Sequence, residues 1–432
     1  MAKVLVIGAG LAGLVAGWQA AAAGAQTRVV CAGWGAQYWQ PGCIDVLGYH
    51  PPDTPEPLSV PAEGLARLIE ERPDHPYARV GVEGVAEALE ALRELFGRDG
   101  YRLLGSPEQN WVLPSAVGAF RPTCLAPATM VAGDLRRSEP MLIVGFRQLP
   151  DFYAALVAAN LSAQGVPSQA ITLDLARLRR RRFTTTSLLA GLFEEAAFRR
   201  EVVEAVAPAI GEAARVGFPA VLGMQRPLEV IEDLEQRLAR EVFEIPTLPA
   251  SVPGMRLHGL LVGAIEEAGG SVFHGMKAVG AAHAEGRITA VYTEAAARRQ
   301  VLHAEAFVLA SGGILGGGLV AGWDGSVAET VFGLPLVTPT RWFQPEFLHP
   351  AGHPIYRAGL AVDGSLRPTD SAGRVVHQNL FAAGAVLGHG EVLRERSLDG
   401  VAVATGWLAG RRAAETALAV RPLGRPRTGD RL

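Results

Sequence analysis

Lys3 to Ile7 is a run of β-branched and aliphatic residues that passes directly into Gly8-Ala9-Gly10-Leu11-Ala12-Gly13. No other feature constrains the fold as much. A G-x-G-x-x-G turn between a strand and a helix has specific physical requirements. The first glycine permits the tight turn, and the second lets a pyrophosphate approach the backbone without a Cβ in the way. The third lets helix and strand pack closely, so the helix N-terminus presents free N–H groups to the anion. Leu11 to Ala23 is apolar and Ala-rich, Gly24 suits a helix C-cap, and Thr27 to Cys31 is a second strand. This order predicts an α/β chain that opens a Rossmann-like, doubly wound FAD/NAD(P)-binding domain.

One part of the fingerprint is missing. An acidic residue for the adenosine ribose is expected about twenty residues on, at the end of the second strand. The chain has Ala32-Gly33-Trp34 there. The pyrophosphate end of a dinucleotide is therefore well specified and the adenosine end is not, which leaves both FAD and the smaller FMN open.

Hydropathy and punctuation divide the 432 residues into four parts. Residues 1–60 begin the flavin-binding domain and 61–249 form an inserted second α/β domain. Residues 250–420 return to the first domain, and 421–432 are a Pro- and Arg-rich tail expected to be disordered. Within the insert, Met141 to Gly145 and Asp151 to Gln164 repeat the strand-turn-helix pattern without paired glycines, a structural unit. Arg177, Arg179, Arg180, Arg181 and Arg182 read as a solvated basic face. After the insert, Ala306 to Ala310 and Asn379 to Ala383 are glycine-ended strands, and a helix runs from about Gly400 to Ala419.

The net charge of -3 gives no electrostatic reason to expect nucleic acid. Three scattered cysteines, Cys31, Cys43 and Cys124, cannot form a disulfide framework, an iron–sulfur cluster or a zinc site, so no metal and a reducing, cytoplasmic setting are expected. The uncharged stretch Ala306 to Trp323 approaches the roughly 18 residues of a membrane helix. Its glycines at 312, 313, 316, 317, 318 and 322 favour a strand and a loop instead.

The later glycine-ended segments resemble those of flavoproteins with two dinucleotide folds. In that resemblance the Gly384 segment closes over the flavin end of the cofactor. Gly400 and Val401 would then offer N–H groups to the isoalloxazine carbonyls. The implied cofactor set is Gly8 to Gly13, Ala32, Gly33, Gly42, Val279, Ser311, Gly312, Gly384, Ala385, Gly400 and Val401.

A narrower resemblance is carried by His75-Pro76-Tyr77, Ile143-Val144-Gly145, Pro246-Thr247-Leu248-Pro249-Ala250-Ser251-Val252, Gly254-Met255-Arg256-Leu257, Leu366-Arg367-Pro368 and Asn379 to Gly388. Through these the chain resembles the B-subunit family of the anaerobic glycerol-3-phosphate dehydrogenases along nearly its whole length. It departs where that family's last helix begins with glycines and a cysteine, reading Ser397-Leu398-Asp399-Gly400 instead. The resemblance implies a flavin, FAD or FMN, in a complex that oxidises sn-glycerol 3-phosphate and passes electrons towards quinone; the alternatives are a stand-alone, fumarate-reductase-like flavin dehydrogenase of another substrate and an electron-relay or assembly subunit without substrate chemistry. It also implies a sister flavoprotein, an iron–sulfur subunit, and membrane association only through them. A base and cations for such a substrate are sought among Arg256, His258, Arg341, His349 and His353, with Arg256, His258 and His349 foremost.

Overall fold

The computed structural model of the chain describes residues 3–98, 100–179, 182–295 and 298–420. Strand β1 (Lys3–Ile7) leads through the glycine turn into helix α1 (Leu11–Ala22) and back along β2 (Gln26–Cys31). Two helices follow, α2 (Pro61–Glu71) and α3 (Pro76–Arg98), the latter broken at Gly81. A second unit then begins with β3 (Met141–Phe146), α4 (Ala154–Ala163) and β4 (Ser168–Leu173). It continues through β5 (Arg215–Pro219), α5 (Pro227–Leu238) and β6 (Glu241–Ile245).

The chain returns along α6 (Val252–Glu267) and β7 (Ser271–His274), then makes an antiparallel meander of β8 (Lys277–Ala284), β9 (Arg287–Ala295) and β10 (Arg298–Leu302). It closes with β11 (Ala306–Leu309), β12 (Leu380–Ala382) and α7 (Leu398–Ala419). The expected tail at 421–432, with Arg180 and Arg181 of the basic cluster, lies outside the described residues.

Two parallel sheets result. The first has the order β7-β2-β1-β11-β12, the doubly wound arrangement that the opening motif predicts. The stretch from Ala306 is a buried strand followed by a glycine loop. Among the described residues no helix is long and apolar enough to cross a membrane. The second sheet has the order β6-β5-β3-β4, again all parallel, with its own apolar core.

The boundary between the units differs from the sequence reading. Leu65, Leu68, Leu89, Leu92 and Phe96 of α2 and α3 are buried in the first core, not in the insert. Helix α3 packs on α7, the last helix of the unit that carries the glycine turn, and α2 packs on α3. The separate core of the second unit spans Leu135 to Val252. Periodicity locates an amphipathic helix but does not say which core takes its apolar face.

Helix α1 is buried along both sides, so it needs small neighbours. A Cβ on Gly406 of α7 would lie 2.5 Å from the Ala12 carbonyl oxygen, and one on Gly410 would lie 2.4 Å from that of Ala16. The two glycines, one turn apart, let α7 approach the α1 backbone directly. Substituting Gly410→Val should therefore lower stability by about 2–3 kcal/mol through overpacking. Thermal unfolding checks this, and an unchanged Tm would show that the helices can separate without cost.

Candidate functional site

The glycine turn has the geometry its spacing requires. Gly8 takes φ +110° and its N–H donates to Val30 O at 2.8 Å. A Cβ on Gly8 would meet Ala310 O at 2.2 Å, and one on Gly13 would meet Gly8 O at 1.9 Å. Both glycines are therefore needed for the fold itself. Gly10 differs, because its φ of -73° suits any residue and a Cβ there would meet no heavy atom within 4 Å. Gly10 is the N-cap of α1 and makes no side-chain cap bond, so the N–H groups of the first helical turn have no intrahelical acceptor.

The strand ends beside this turn come from the later segments. Ser311 follows β11 next to Gly8, and its buried Oγ has no partner among the described residues. Gly312 and Gly384 both have positive φ, at +83° and +76°. A Cβ on Gly384 would lie 2.7 Å from Ala12 Cβ, and Ala385 O packs against Gly313. The structure thus brings Gly8 to Gly13, Ser311, Gly312, Gly384 and Ala385 to one edge of the sheet. Ala32 and Gly33 are exposed at the end of β2. Gly42 packs against Pro253, and Val279 lies in the meander at a register shift between Ala278 and Gly280.

Where the acidic residue of the fingerprint is missing, an aromatic cluster stands instead. Trp34 stacks on His258 with ring centroids 4.3 Å apart. His258 Nδ1 lies 3.0 Å from Gln37 Oε1 and its Nε2 lies 3.2 Å from His274 Nε2. Burial, and next the neighbouring His274, push the His258 pKa down to about 4, so the ring is neutral at physiological pH. Both ring nitrogens are engaged, which corrects its reading as a base free to face a substrate.

Arg256 receives a similar correction. Its guanidinium is buried, donating to Glu244 Oε2 at 2.7 Å and Oε1 at 2.9 Å and to Gly223 O at 3.0 Å. Glu244 also accepts from Thr129 Oγ1 at 2.7 Å and Leu222 N at 2.9 Å. Arg256 thus ties α6 to the inserted sheet. His349 lies on the loop 341–353, accepting from Ala351 N at 3.1 Å, and Arg341 is exposed there. His353 shapes the same loop through Gln344 N and Phe347 O. No described hydrogen bond joins this loop to Arg256 or His258.

The expected flavin donors of the last helix are also taken internally. Gly400 N–H donates to Asp45 O at 2.9 Å and Val401 N–H to Ser397 O at 2.9 Å. A Cβ on Gly400 would meet Tyr77 Oη at 2.2 Å. The helix start is filled by a polar network that the sequence reading missed. Asp399 accepts from Gln40 Nε2 and from Asp45 N, while Arg121 Nη2 donates to Asp45 Oδ2 at 2.6 Å. The one available signal was Asp399 itself, an acid in the first turn of a helix otherwise rich in glycine and alanine. The residues therefore fit a pyrophosphate at Gly10, Leu11 and Ala12, with Ser311 beside it. They do not offer the Gly400 and Val401 donors to the ring.

A family model described as "FAD binding domain" matches residues 3–395. A Pectobacterium atrosepticum protein, named as the B subunit of an anaerobic glycerol-3-phosphate dehydrogenase, is 35% identical over 395 residues, 89% of this chain and 91% of that one. The chain belongs to that B-subunit family. A Halobacterium salinarum protein, named as the probable B subunit of the same kind of dehydrogenase, is 36% identical over 430 residues, 96% of this chain and 98% of its own. Among solved structures, 3-ketosteroid delta1-dehydrogenase from Sterolibacterium denitrificans covers 96% of this chain and all of that one, with 12% identity and a TM-score of 0.43. Membership identifies a flavin oxidoreductase subunit with FAD as the favoured cofactor.

Asp399 supplies a test of the polar network. Burial, and next the neighbouring Asp45 carboxylate, push its carboxyl up from 3.8 to about 7 against the opposing pull of Arg121. A carboxyl raised in the folded state holds its proton more tightly there, so its contribution is full below 3.8 and lost as pH rises to about 7. Asp399→Asn should flatten the fall in Tm across that window. An identical pH slope in both proteins would remove Asp399 as its source.

Proposed function

We propose that this chain holds FAD at its N-terminal glycine turn within a complex that oxidises sn-glycerol 3-phosphate to dihydroxyacetone phosphate and passes electrons towards quinone. The observation that carries the FAD reading is Gly10, the one glycine of the turn whose missing Cβ serves no neighbour in the fold. The bare N-terminus of α1 supplies N–H donors for a pyrophosphate, and Ser311 Oγ supplies a hydroxyl on the adjoining strand. When bound, the flavin supplies two-electron acceptance. The glycerol phosphate reading rests on family membership at 35–36% identity over most of the chain.

The residues of this chain support binding and sealing more than acid–base chemistry. Arg256 holds two units together, His258 is neutral and enclosed, and His349 sits on a separate loop. That dispersal favours a second reading, in which this subunit relays electrons and a sister flavoprotein oxidises the substrate. Cys31, Cys43 and Cys124 are each buried and unpaired, so they cannot assemble a cluster for onward transfer. We therefore assign that step to an iron–sulfur subunit, which would also hold this chain at the inner face of the membrane.

Gly10→Val tests the site without disturbing the fold. The variant should unfold within a few degrees of the parent but retain at least tenfold less flavin, measured by absorbance of the purified protein. In the co-expressed complex, glycerol-3-phosphate-dependent reduction of an artificial acceptor should fall with it. Undiminished flavin in Gly10→Val would move the cofactor elsewhere. A fully assembled parent complex inactive with glycerol 3-phosphate would refute the substrate.

A further inference from the structure

The inserted sheet has a topological property that the flavin reading does not use. In chain order its strands lie 2-1-3-4, because β4 and β5 flank β3 on opposite sides. The connections therefore leave β3 and β5 in opposite directions, which makes their carboxyl ends a topological switch point. In parallel α/β sheets this switch point is where ligands bind. Here the loop after β3 is Arg147 to Tyr153. The segment after β6 crosses back to it, with Leu248 N–H donating to Asp151 O at 2.9 Å. The segment ahead of the helix Thr186–Phe193 joins from the other side, Thr184 N–H donating to Gln148 O at 2.8 Å.

Three buried polar atoms on these converging segments have no partner among the described residues: Gln148 Oε1, Thr184 Oγ1 and Thr247 Oγ1. Their residues are 6%, 4% and 9% exposed, so bulk water does not satisfy them. A buried group left unpaired costs about 1–3 kcal/mol, and three at one sheet edge is a concentration that packing alone does not require. Around them the surface is unusual in charge and shape. Arg147 and Arg179 both approach Asp174, at 3.5 and 3.4 Å, so two guanidiniums share one carboxylate, which also accepts from Gln148 Nε2 at 3.1 Å. Tyr153 and Phe183 are large aromatics standing 58% and 62% exposed on the same loops. Tyr153 caps α4 without a side-chain cap bond, so the helix's first N–H groups face this edge with the arginines. The loop also carries an acid, Asp151, whose carboxyl is pushed up by burial.

We propose that the carboxyl edge of the inserted sheet is a second ligand site, one that takes a phosphomonoester. The arginines and the start of α4 meet the phosphate. The Gln148, Thr184 and Thr247 side chains meet hydroxyl or amide groups of its body, and Tyr153 and Phe183 flank it. This goes beyond the flavin reading and does not rest on it, since none of these residues belongs to the glycine turn. Two sources share this chemistry, a small polyol phosphate and a mononucleotide.

Calorimetric titration of the full chain with glycerol 3-phosphate, FMN and inorganic phosphate separates them. One of the two esters should bind more tightly than inorganic phosphate, and its affinity should fall at least tenfold in the exposed double variant Arg147→Gln/Arg179→Gln. Tight binding of glycerol 3-phosphate identifies a polyol phosphate, and of FMN a mononucleotide. Thr247→Val should also weaken binding. Absence of heat with all three, binding of inorganic phosphate alone, or equal affinity in parent and double variant would overturn the site. So would a Thr247→Val protein that is merely more stable, with unchanged affinity. Flavin content measured on the same samples reports on the glycine turn separately and should be the same in all three proteins.

Discussion

Everything near the candidate cofactor site depends on the contact between the Gly8 carbonyl and Gly13. A side chain at either position would collide with backbone, since the Cβ of Gly13 would fall 1.9 Å from Gly8 O and that of Gly8 2.2 Å from Ala310 O. Closing this gap sets α1 directly on the ends of β1 and β11 and aims its uncapped first turn along the sheet edge. The same economy of side chains recurs on the outer face of α1. Gly384, Gly406 and Gly410 let the C-terminal segments reach Ala12 and Ala16. The chain's late return to its first domain is thus a packing consequence of small residues meeting small residues. Van der Waals contact at this range is lost steeply with separation.

Buried charges tie α6 to the inserted sheet and fix the start of α7. Arg256 and Glu244 form a doubly hydrogen-bonded pair whose remaining capacity is used by Gly223, Thr129 and Leu222. Such a pair need not add net stability over an apolar contact, but removing one partner leaves the other charged and buried, at about 3–5 kcal/mol. The pair therefore fixes which α6 orientation is allowed. A second network, Asp45, Arg121, Gln40 and Asp399, seals the start of α7. Burial, and next the Asp45 carboxylate, push Asp399 towards neutrality, while the two carboxylates keep Arg121 charged.

Much of this was legible in the sequence because the relevant signals are local. The strand-turn-helix opening, the glycine-ended strands at Ser311 and Gly384, and the long final helix all follow from short-range pattern. The assignment of α2 and α3 was not legible, because an amphipathic helix displays a stripe but not its partner. Gly400 and Val401 failed for a different reason. Their N–H groups looked available from position in the helix, yet a distant carbonyl at Asp45 and a nearby one at Ser397 accept both. His258 and Arg256 looked reactive by type, and only the fold shows Gln37, His274 and Glu244 against them. Pairings across 12 to 221 residues cannot be seen in spacing.

The glycine turn, the Ser311 hydroxyl and the family relationship converge on a dinucleotide flavin, despite the ribose-binding acid missing after β2. Mass spectrometry of the ligand released when the native chain is denatured addresses this most directly. FAD at close to one per chain is expected, with the pyrophosphate accounting for the geometry at Gly10. FMN alone, or a colourless protein releasing no flavin, would contradict it.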